Sequence, residues 1–170
     1  MISLREQLQQ NLDSWAVLGH DSLLEGFVLE AANVERSGAS RGSNLGDSFR
    51  EPKMCFYNAG RTVLLSAASP GSSSIDYCEG FAWRDSVGFP VHHAWLWDRG
   101  NDELIDTTFT DPEECSYLGI AFSTSELSHE VVAAGVWGLL DTGMGINADM
   151  ICRRFPETKA AKMMRARGMA

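Results

Sequence analysis

The period of the apolar pattern changes near residue 75, and this change limits the folds open to the chain. Before it, apolar residues recur three or four positions apart in segments 4–16, 23–32 and 56–67, as on one face of an α-helix. After it come short segments rich in aromatic and β-branched residues, separated by turn-forming residues, at 75–83, 91–97, 103–109 and 117–123. Helices followed by a run of strands predict an α+β fold with an antiparallel sheet of about four or more strands.

The remaining segments predict further helices and one loop. A helical pattern covers about 125–140, and the basic segment 153–170 predicts a C-terminal helix. Pro52 fits the first turn of the third helix, and Asp21 or Ser22 fits the N-cap of the second. Residues 37–48 are rich in Gly and Ser without apolar periodicity, which predicts a mobile loop that covers a cleft. We expect residues 1–170 to form a single domain.

Charge and hydropathy exclude several classes of partner. Residues 1–152 carry 8 basic and 22 acidic side chains, whereas residues 153–170 carry 6 basic and 1 acidic. The acidic part should repel nucleic acid. The basic tail either docks on this acidic body, which we favour, or contacts an acidic partner.

The sequence has no apolar run of membrane-spanning length and no apolar stretch typical of a secretory signal near residue 1, so we expect a cytoplasmic protein without a membrane partner. The oligomeric state is not indicated.

One of the four cysteines has a context that suits a nucleophile. Cys55 lies in the first turn of the third predicted helix, where unpaired N–H groups and the helix dipole favour a thiolate. Cys78, Cys115 and Cys152 lie in strand, loop and tail, where a buried, small apolar role is the usual one. No pair is spaced as C-x-x-C, so we expect four thiols in a reducing compartment.

Two adjacent histidines lie on the second predicted strand, where neighbouring side chains face opposite sides of the sheet. A two-residue turn at Arg99–Gly100 would pair His93 with Asp106 across the hairpin, close enough for a hydrogen bond. A one-residue shift would instead put Asp106 on the wrong face. Taken alone, His93 would be expected to be structural, but its coincidence with Asp106 and Cys55 favours a catalytic role.

Three short motifs occur in order on a predicted helix and two predicted strands: Cys55-Phe56-Tyr57-Asn58-Ala59, His93-Ala94-Trp95 and Asp106-Thr107-Thr108. Over about residues 52–123 this order resembles the transglutaminase-like branch of the papain-like cysteine enzymes, whose pattern is Cys, then His-Ala-Trp, then Asp-x-Thr. The resemblance implies a papain-like core in which the nucleophile-bearing helix packs on the antiparallel sheet, with N- and C-terminal helices added. It implies Cys55 as nucleophile, His93 as base and Asp106 as the group that orients the imidazole.

The resemblance also implies acyl transfer on an amide- or peptide-containing substrate, which includes proteins, without a cofactor. Water as acceptor gives hydrolysis and an amine gives transamidation. The residues do not decide between the two, and hydrolysis is the default because it needs no second binding site. A different class of function stays open: a non-catalytic protein that uses the same scaffold to bind a ligand or partner.

Three further residues are candidates for binding substrate: Glu79, Asn58 and Trp95. Glu79 shares a strand face with aromatic residues, where a carboxylate requires a partner or an open cleft. Four roles are open for Glu79: it binds substrate, it orients a catalytic group, it pairs with an Arg, or it is exposed at the edge of the sheet. Asn58, one helical turn after Cys55, either donates a hydrogen bond into the site or holds the neighbouring loop. A metal site built from His92 or His93 with Glu79 and Asp106 is a weaker alternative, since no ligand spacing supports it.

Overall fold

The structure, a computed structural model, describes residues 2–18, 22–42, 51–68 and 75–170. Within these ranges the fold is α+β, as predicted, with six helices and a curled five-stranded antiparallel sheet. The helices are α1 (Leu4–Val17), α2 (Leu23–Ala31), α3 (Cys55–Ala67), α4 (Thr124–Ala134), α5 (Ala148–Arg154) and α6 (Lys159–Ala166). The strands are β1 (Val34–Ser37), β2 (Ile75–Trp83), β3 (Val91–Asp98), β4 (Glu103–Ile105) and β5 (Ser116–Phe122), in the spatial order β1-β5-β2-β3-β4.

The sheet buries apolar side chains on both faces. One face carries Tyr77, Leu96 and Ile120, and all six described helices contribute side chains to the cluster that covers it. The opposite face carries a smaller cluster around Trp95 and Tyr117, covered by connecting segments. Because strand side chains alternate, each strand contributes to both clusters, and β2 and β5 are buried along most of their length.

Two glycines lie opposite each other at the centre of the sheet. Gly80 of β2 pairs with Gly119 of β5 on one side and with His93 of β3 on the other. A Cβ on Gly80 would lie 2.3 Å from the backbone oxygen of Leu118, and one on Gly119 would lie 2.6 Å from the Trp95 ring. The absence of side chains here lets the strands approach closely and leaves room for the aromatic ring.

The hairpin between β3 and β4 differs from the predicted register by two residues. Leu96 pairs with Ile105 and Asp98 with Glu103, so the turn has four residues, not the two of Arg99–Gly100. Asp98 stabilises this longer turn, because its Oδ1 accepts the backbone N–H of Gly100 at 2.9 Å. A shift of two residues keeps every side chain on its predicted face, so the inference about His93 and Asp106 is not affected.

Three predicted elements end earlier than expected. The strand predicted over 103–109 stops at Ile105, because Asp106 Oδ1 accepts the N–H groups of Thr108 and Phe109 and turns the chain. The helix predicted over about 125–140 stops at Ala134, where Gly135 takes a left-handed conformation with φ 68°. Of the helix predicted over 153–170, α6 forms only Lys159–Ala166, after Pro156, which lacks the N–H that a continuous helix needs. Residues 153 and 154 instead end α5, a helix that begins at Ala148, where a link was expected.

One element start differs from the prediction, and another agrees with it. The turn before α3 contains Pro52, and α3 itself begins at Cys55. Ser22 is the N-cap residue of α2, although its side chain makes no capping hydrogen bond. β1 was not predicted, since only Val34 of its four residues is buried and the alternation typical of a strand is missing.

The predicted loop at 37–48 is described only in part. Ser37 ends β1, and Ser40 pairs with the end of β4, donating to Leu104 O at 2.8 Å and accepting from Asp106 N at 2.9 Å. Residues 43–48 lie outside the described residues, so their role as a mobile cover stays a prediction.

The basic tail docks on the acidic body, as favoured from the charge distribution. Arg153 forms an ion pair with Glu130, and Arg154 forms one with Glu126, both on α4. The Arg154 guanidinium also lies over the Phe122 ring, 4.2 Å from its centroid. None of the helices within the described ranges has both the length and the apolar content needed to cross a membrane.

The central glycine pair gives a test of the packing. Gly80→Ala should lower the free energy of unfolding by about 1–3 kcal/mol, because its Cβ would overlap the β5 backbone. Gly26→Ala in α2 is the control: a Cβ there meets nothing within 4 Å, so the change should be neutral or stabilise by up to about 1 kcal/mol. Urea unfolding of both variants makes the comparison, and equal effects would contradict the close approach.

Candidate active site

Cys55 is the first residue of α3 and follows a tight turn. Met54 N–H donates to Glu51 O at 3.2 Å, and Lys53 has φ 64°, the left-handed region that non-glycine residues rarely adopt. Such backbone strain is found where the surrounding structure holds it in place, often beside a functional group. The turn places the thiol, which is 8% exposed, at the N-terminus of a 13-residue helix.

The predicted contact between His93 and Asp106 is present. His93 Nε2 lies 2.7 Å from Asp106 Oδ2, on the sheet face that carries Trp95 and Tyr117. His93 is 2% exposed, and its ring stacks on Phe109 with centroids 4.0 Å apart. Asp106 accepts the Nε2–H, so the imidazole orientation is fixed and Nδ1 is the nitrogen left for another partner.

The Cys55 side chain lies close enough to the His93 imidazole to raise its pKa. Burial alone would lower the pKa of His93. The Asp106 charge and hydrogen bond, together with the contact from Cys55, outweigh burial and raise the pKa to about 9. His93 is therefore an imidazolium at neutral pH, bound to the Asp106 carboxylate and close to the Cys55 side chain.

Four donors satisfy the Asp106 carboxylate. Besides His93, the Tyr117 hydroxyl donates to Oδ2 at 2.9 Å, and the N–H groups of Thr108 and Phe109 donate to Oδ1 at 2.7 and 3.1 Å. Burial alone would raise the pKa of Asp106, but the His93 charge and these hydrogen bonds lower it. The carboxylate is therefore ionised although it is buried.

Tyr117 is a site residue that the sequence did not identify. Burial and the neighbouring Asp106 raise the pKa of its phenol, so the hydroxyl stays protonated as a donor. Its position opposite Ala82 comes from the pairing of β5 with β2, which no short turn connects. The strand pattern at 117–123 gave no signal for this pairing.

Asn58 holds the neighbouring loop, one of the two roles considered for it. Its Oδ1 accepts Glu51 N–H at 3.1 Å, and its Nδ2 donates to Glu51 O at 2.8 Å and to Thr108 Oγ1 at 3.0 Å. The side chain is fully buried. It thus joins the turn before Cys55 to the segment after Asp106 instead of contacting substrate.

Trp95 and Glu79 are also buried and do not line an open cleft as substrate-binding residues would. Trp95 packs against Tyr117, with ring centroids 5.1 Å apart, so it belongs to the core. Glu79 is fully buried, not exposed at an edge. Its two oxygens accept the N–H groups of residues 139–141 at 2.6–3.2 Å and the Tyr77 hydroxyl at 2.8 Å. Glu79 therefore anchors the loop after α4.

His92 lies on the opposite face of the sheet from His93 and points toward Glu79. Its Nε2 lies 3.1 Å from Glu79 Oε1, although the orientation is not that of a hydrogen bond. The metal site considered from the sequence would need residues from both faces: Glu79 and His92 on one, His93 and Asp106 on the other. Across the described residues, no three His, Cys, Asp or Glu side chains lie together in a way that could hold a metal ion.

The other three cysteines are buried, as expected. Burial raises the pKa of the Cys78 and Cys115 thiols. Cys152 contacts the backbone oxygen of Ala161, with Sγ 3.4 Å away. Of the four, Cys55 is the cysteine at a helix N-terminus beside an imidazole.

A groove of about 470 Å³ runs past the first turn of α3. Its walls combine that turn, His92 and the loop after α4. The lining residues are Lys53, Met54, Phe56, Tyr57, His92, Gly135, Val136, Trp137, Gly138, Asp141, Thr142 and Gly143. We call this space the α3 groove.

Comparison with protein-family models, curated proteins and solved structures finds no match for this chain. The chemistry assigned to the site therefore depends on the contacts of Cys55, His93 and Asp106.

The raised pKa of His93 gives a pH dependence of stability. The folded value of about 9 exceeds the unfolded value of about 6.5, so the folded protein binds the extra proton between these limits. The resulting stabilisation is complete below about pH 6.5 and is lost as pH rises through about 9. The free energy of unfolding should fall over this range, and His93→Gln should flatten the fall between pH 6.5 and 8. Urea unfolding at several pH values measures both, and an unchanged slope in the variant would contradict the assignment.

Removal of the Tyr117 hydroxyl tests its bond to Asp106. Tyr117→Phe keeps the ring but leaves a buried, ionised carboxylate with one donor fewer, which should cost about 1.5–3 kcal/mol of unfolding free energy. Tyr57→Phe, whose hydroxyl accepts from the partly exposed Arg61 side chain, should cost less than about 1 kcal/mol. Similar losses in the two variants would contradict a special role for Tyr117.

Proposed function

We propose that this protein performs cysteine-dependent acyl transfer on an amide or peptide-like substrate, with Cys55, His93 and Asp106 as its catalytic triad. One observation carries the proposal: the His93 imidazole lies 2.7 Å from the Asp106 carboxylate, and the Cys55 side chain is close enough to raise the pKa of the same ring. A nucleophile beside a base, with the base oriented by a third group, is the arrangement that covalent catalysis requires.

In the reacting form, Cys55 is a thiolate beside the His93 imidazolium. The thiolate of Cys55 attacks the substrate carbonyl carbon, and the carbonyl oxygen becomes an oxyanion near the N-terminus of α3. The Cys55 backbone N–H is one donor to it. The His93 imidazolium then gives a proton to the leaving nitrogen, the carbon–nitrogen bond breaks and an acyl thioester remains on Cys55. Asp106 keeps the ring aligned by holding Nε2, so the proton is exchanged through Nδ1.

The acceptor completes the reaction. Water, deprotonated by neutral His93, attacks the thioester and releases a carboxylic acid and the Cys55 thiolate, and His93 is again protonated. An amine in place of water gives transamidation, and hydrolysis stays the default because it needs no second site. No step requires a cofactor, and the cytoplasmic location predicted from the sequence is part of this proposal.

The finer fold assignment, a papain-like or transglutaminase-like core, also belongs to this proposal. Two features support it: α3 packs against β2 and β3, and His93 and Asp106 lie on β3 and at the end of β4. Both features agree with the order of the Cys, His-Ala-Trp and Asp-x-Thr motifs in the chain.

Selective alkylation tests the triad before any substrate is known. Iodoacetamide near pH 6.5, followed by peptide mass spectrometry, should label Cys55 well ahead of Cys78 and Cys115, because burial raises the pKa of those two thiols. His93→Ala should slow the labelling of Cys55 by about tenfold or more, since it removes the positive charge beside the thiolate.

A matched histidine variant controls for general effects. His129, on α4, has a side chain 67% exposed, so His129→Ala should leave the labelling rate unchanged. Cys55→Ser should abolish turnover of any substrate found and preserve the fold. Equal labelling of all four cysteines, or labelling insensitive to His93→Ala, would exclude the triad and favour the non-catalytic binding protein.

A further inference from the structure

The α3 groove has walls that are aromatic and held in place. Trp137 packs edge-on against Tyr57, with ring centroids 5.1 Å apart and planes at 86°. It also lies on α3 at Gly60, where a Cβ would come within 2.7 Å of the indole ring. On the other side, the Phe56 and His92 rings lie 5.0 Å apart. Because Gly60 has no side chain, the Trp137 indole can pack directly against α3 and form part of the groove wall.

A buried carboxylate fixes the loop that closes the groove. Glu79 accepts the N–H groups of Leu139, Leu140 and Asp141, directly after Trp137 and Gly138. A Cβ on Gly138 would overlap the backbone oxygen of Asp141, so this turn tolerates no side chain there. The groove is therefore formed without a ligand, and binding does not have to order its walls.

The groove is continuous with the turn that carries the thiol. Lys53 and Met54 line it from one side of Cys55 in the chain, and Phe56 and Tyr57 line it from the other. An acyl group bonded to Cys55 starts within two residues of four lining residues. The groove volume of about 470 Å³ lies in the range of small-ligand sites, about 300–1,000 Å³.

We infer that the α3 groove is the acyl-side subsite of the Cys55 centre and selects substrates with an aromatic or large apolar side chain next to the reacting carbonyl. This inference rests on the proposed function. The rings of four lining residues surround the groove: Phe56, Tyr57, His92 and Trp137. An aromatic substrate side chain that is transferred from water into the groove can pack against these rings edge-on or offset. The polar groups of the wall, Lys53, Asp141 and Thr142, then contact the flanking amide groups of the substrate.

Two electrophilic probes test the subsite. N-acetyl-phenylalanyl and N-acetyl-alanyl chloromethyl ketone each react when the Cys55 thiolate forms a sulfur–carbon bond and chloride leaves. Their rates with Cys55, read by intact and peptide mass spectrometry, are divided by their rates with free N-acetylcysteine. The phenylalanyl probe should then react at least about tenfold faster, as expected when a benzyl group leaves water for an apolar groove.

Substitutions in the α3 groove test whether the groove causes the preference for the phenylalanyl probe. Val136→Trp fills the groove and should remove the preference, and Thr142→Trp does so from the other side if the first variant fails to fold. Val132→Trp is the matched control: Val132 is 83% exposed on α4 and outside the lining, so the preference should remain.

The possible outcomes distinguish failure of the subsite inference from failure of the proposed triad. Equal rates for the two probes, with iodoacetamide still selective for Cys55 and dependent on His93, would overturn the subsite and leave the proposed function standing. A preference that survives both groove-filling variants would also overturn it. Loss of selective iodoacetamide labelling would overturn the proposed function and the subsite together.

Discussion

The cost of burying a carboxylate organises this fold, because the two most deeply buried carboxylates among the described residues, those of Glu79 and Asp106, lie on opposite faces of the sheet. An ionised carboxylate removed from water is tolerated only when hydrogen-bond donors replace the water. Asp106 and Glu79 each have four donors. The donors are His93, Thr108, Phe109 and Tyr117 for Asp106, and Tyr77, Leu139, Leu140 and Asp141 for Glu79. Every donor must be held in place, so each carboxylate fixes segments that are distant in the chain.

The two carboxylates fix different parts of the candidate site. Asp106 ends β4, aligns the His93 ring and holds the segment that Asn58 joins to the turn before Cys55. Glu79 holds the loop that forms the far wall of the α3 groove. The reacting groups and the groove thus have separate supports, each built from hydrogen bonds that would be costly to leave unmade in the interior.

The sequence predicted the features that depend on local periodicity. The apolar pattern located α3 with Cys55 in its first turn, and strand alternation put His93 and Asp106 on one face despite a register error of two residues. Features that depend on long-range packing were missed. Tyr117 reaches Asp106 through a pairing that no turn specifies, and Glu79 binds backbone N–H groups that no side-chain pattern encodes. The sequence pattern did not predict β1, because three of its four residues are exposed.

The two buried carboxylates, Glu79 and Asp106, also fix the register of β3. His92 and His93 must face opposite sides, so one strand supplies an imidazole to each carboxylate: His92 lies beside Glu79 and His93 beside Asp106. A one-residue slip would turn His93 away from Asp106 and expose Trp95 to the helical face, leaving the carboxylate without its charged partner. A two-residue slip would keep the faces but move His93 away from Gly80, the residue that leaves room across the sheet. The register of β3 that buries the apolar side chains is therefore also the one that places an imidazole beside each carboxylate.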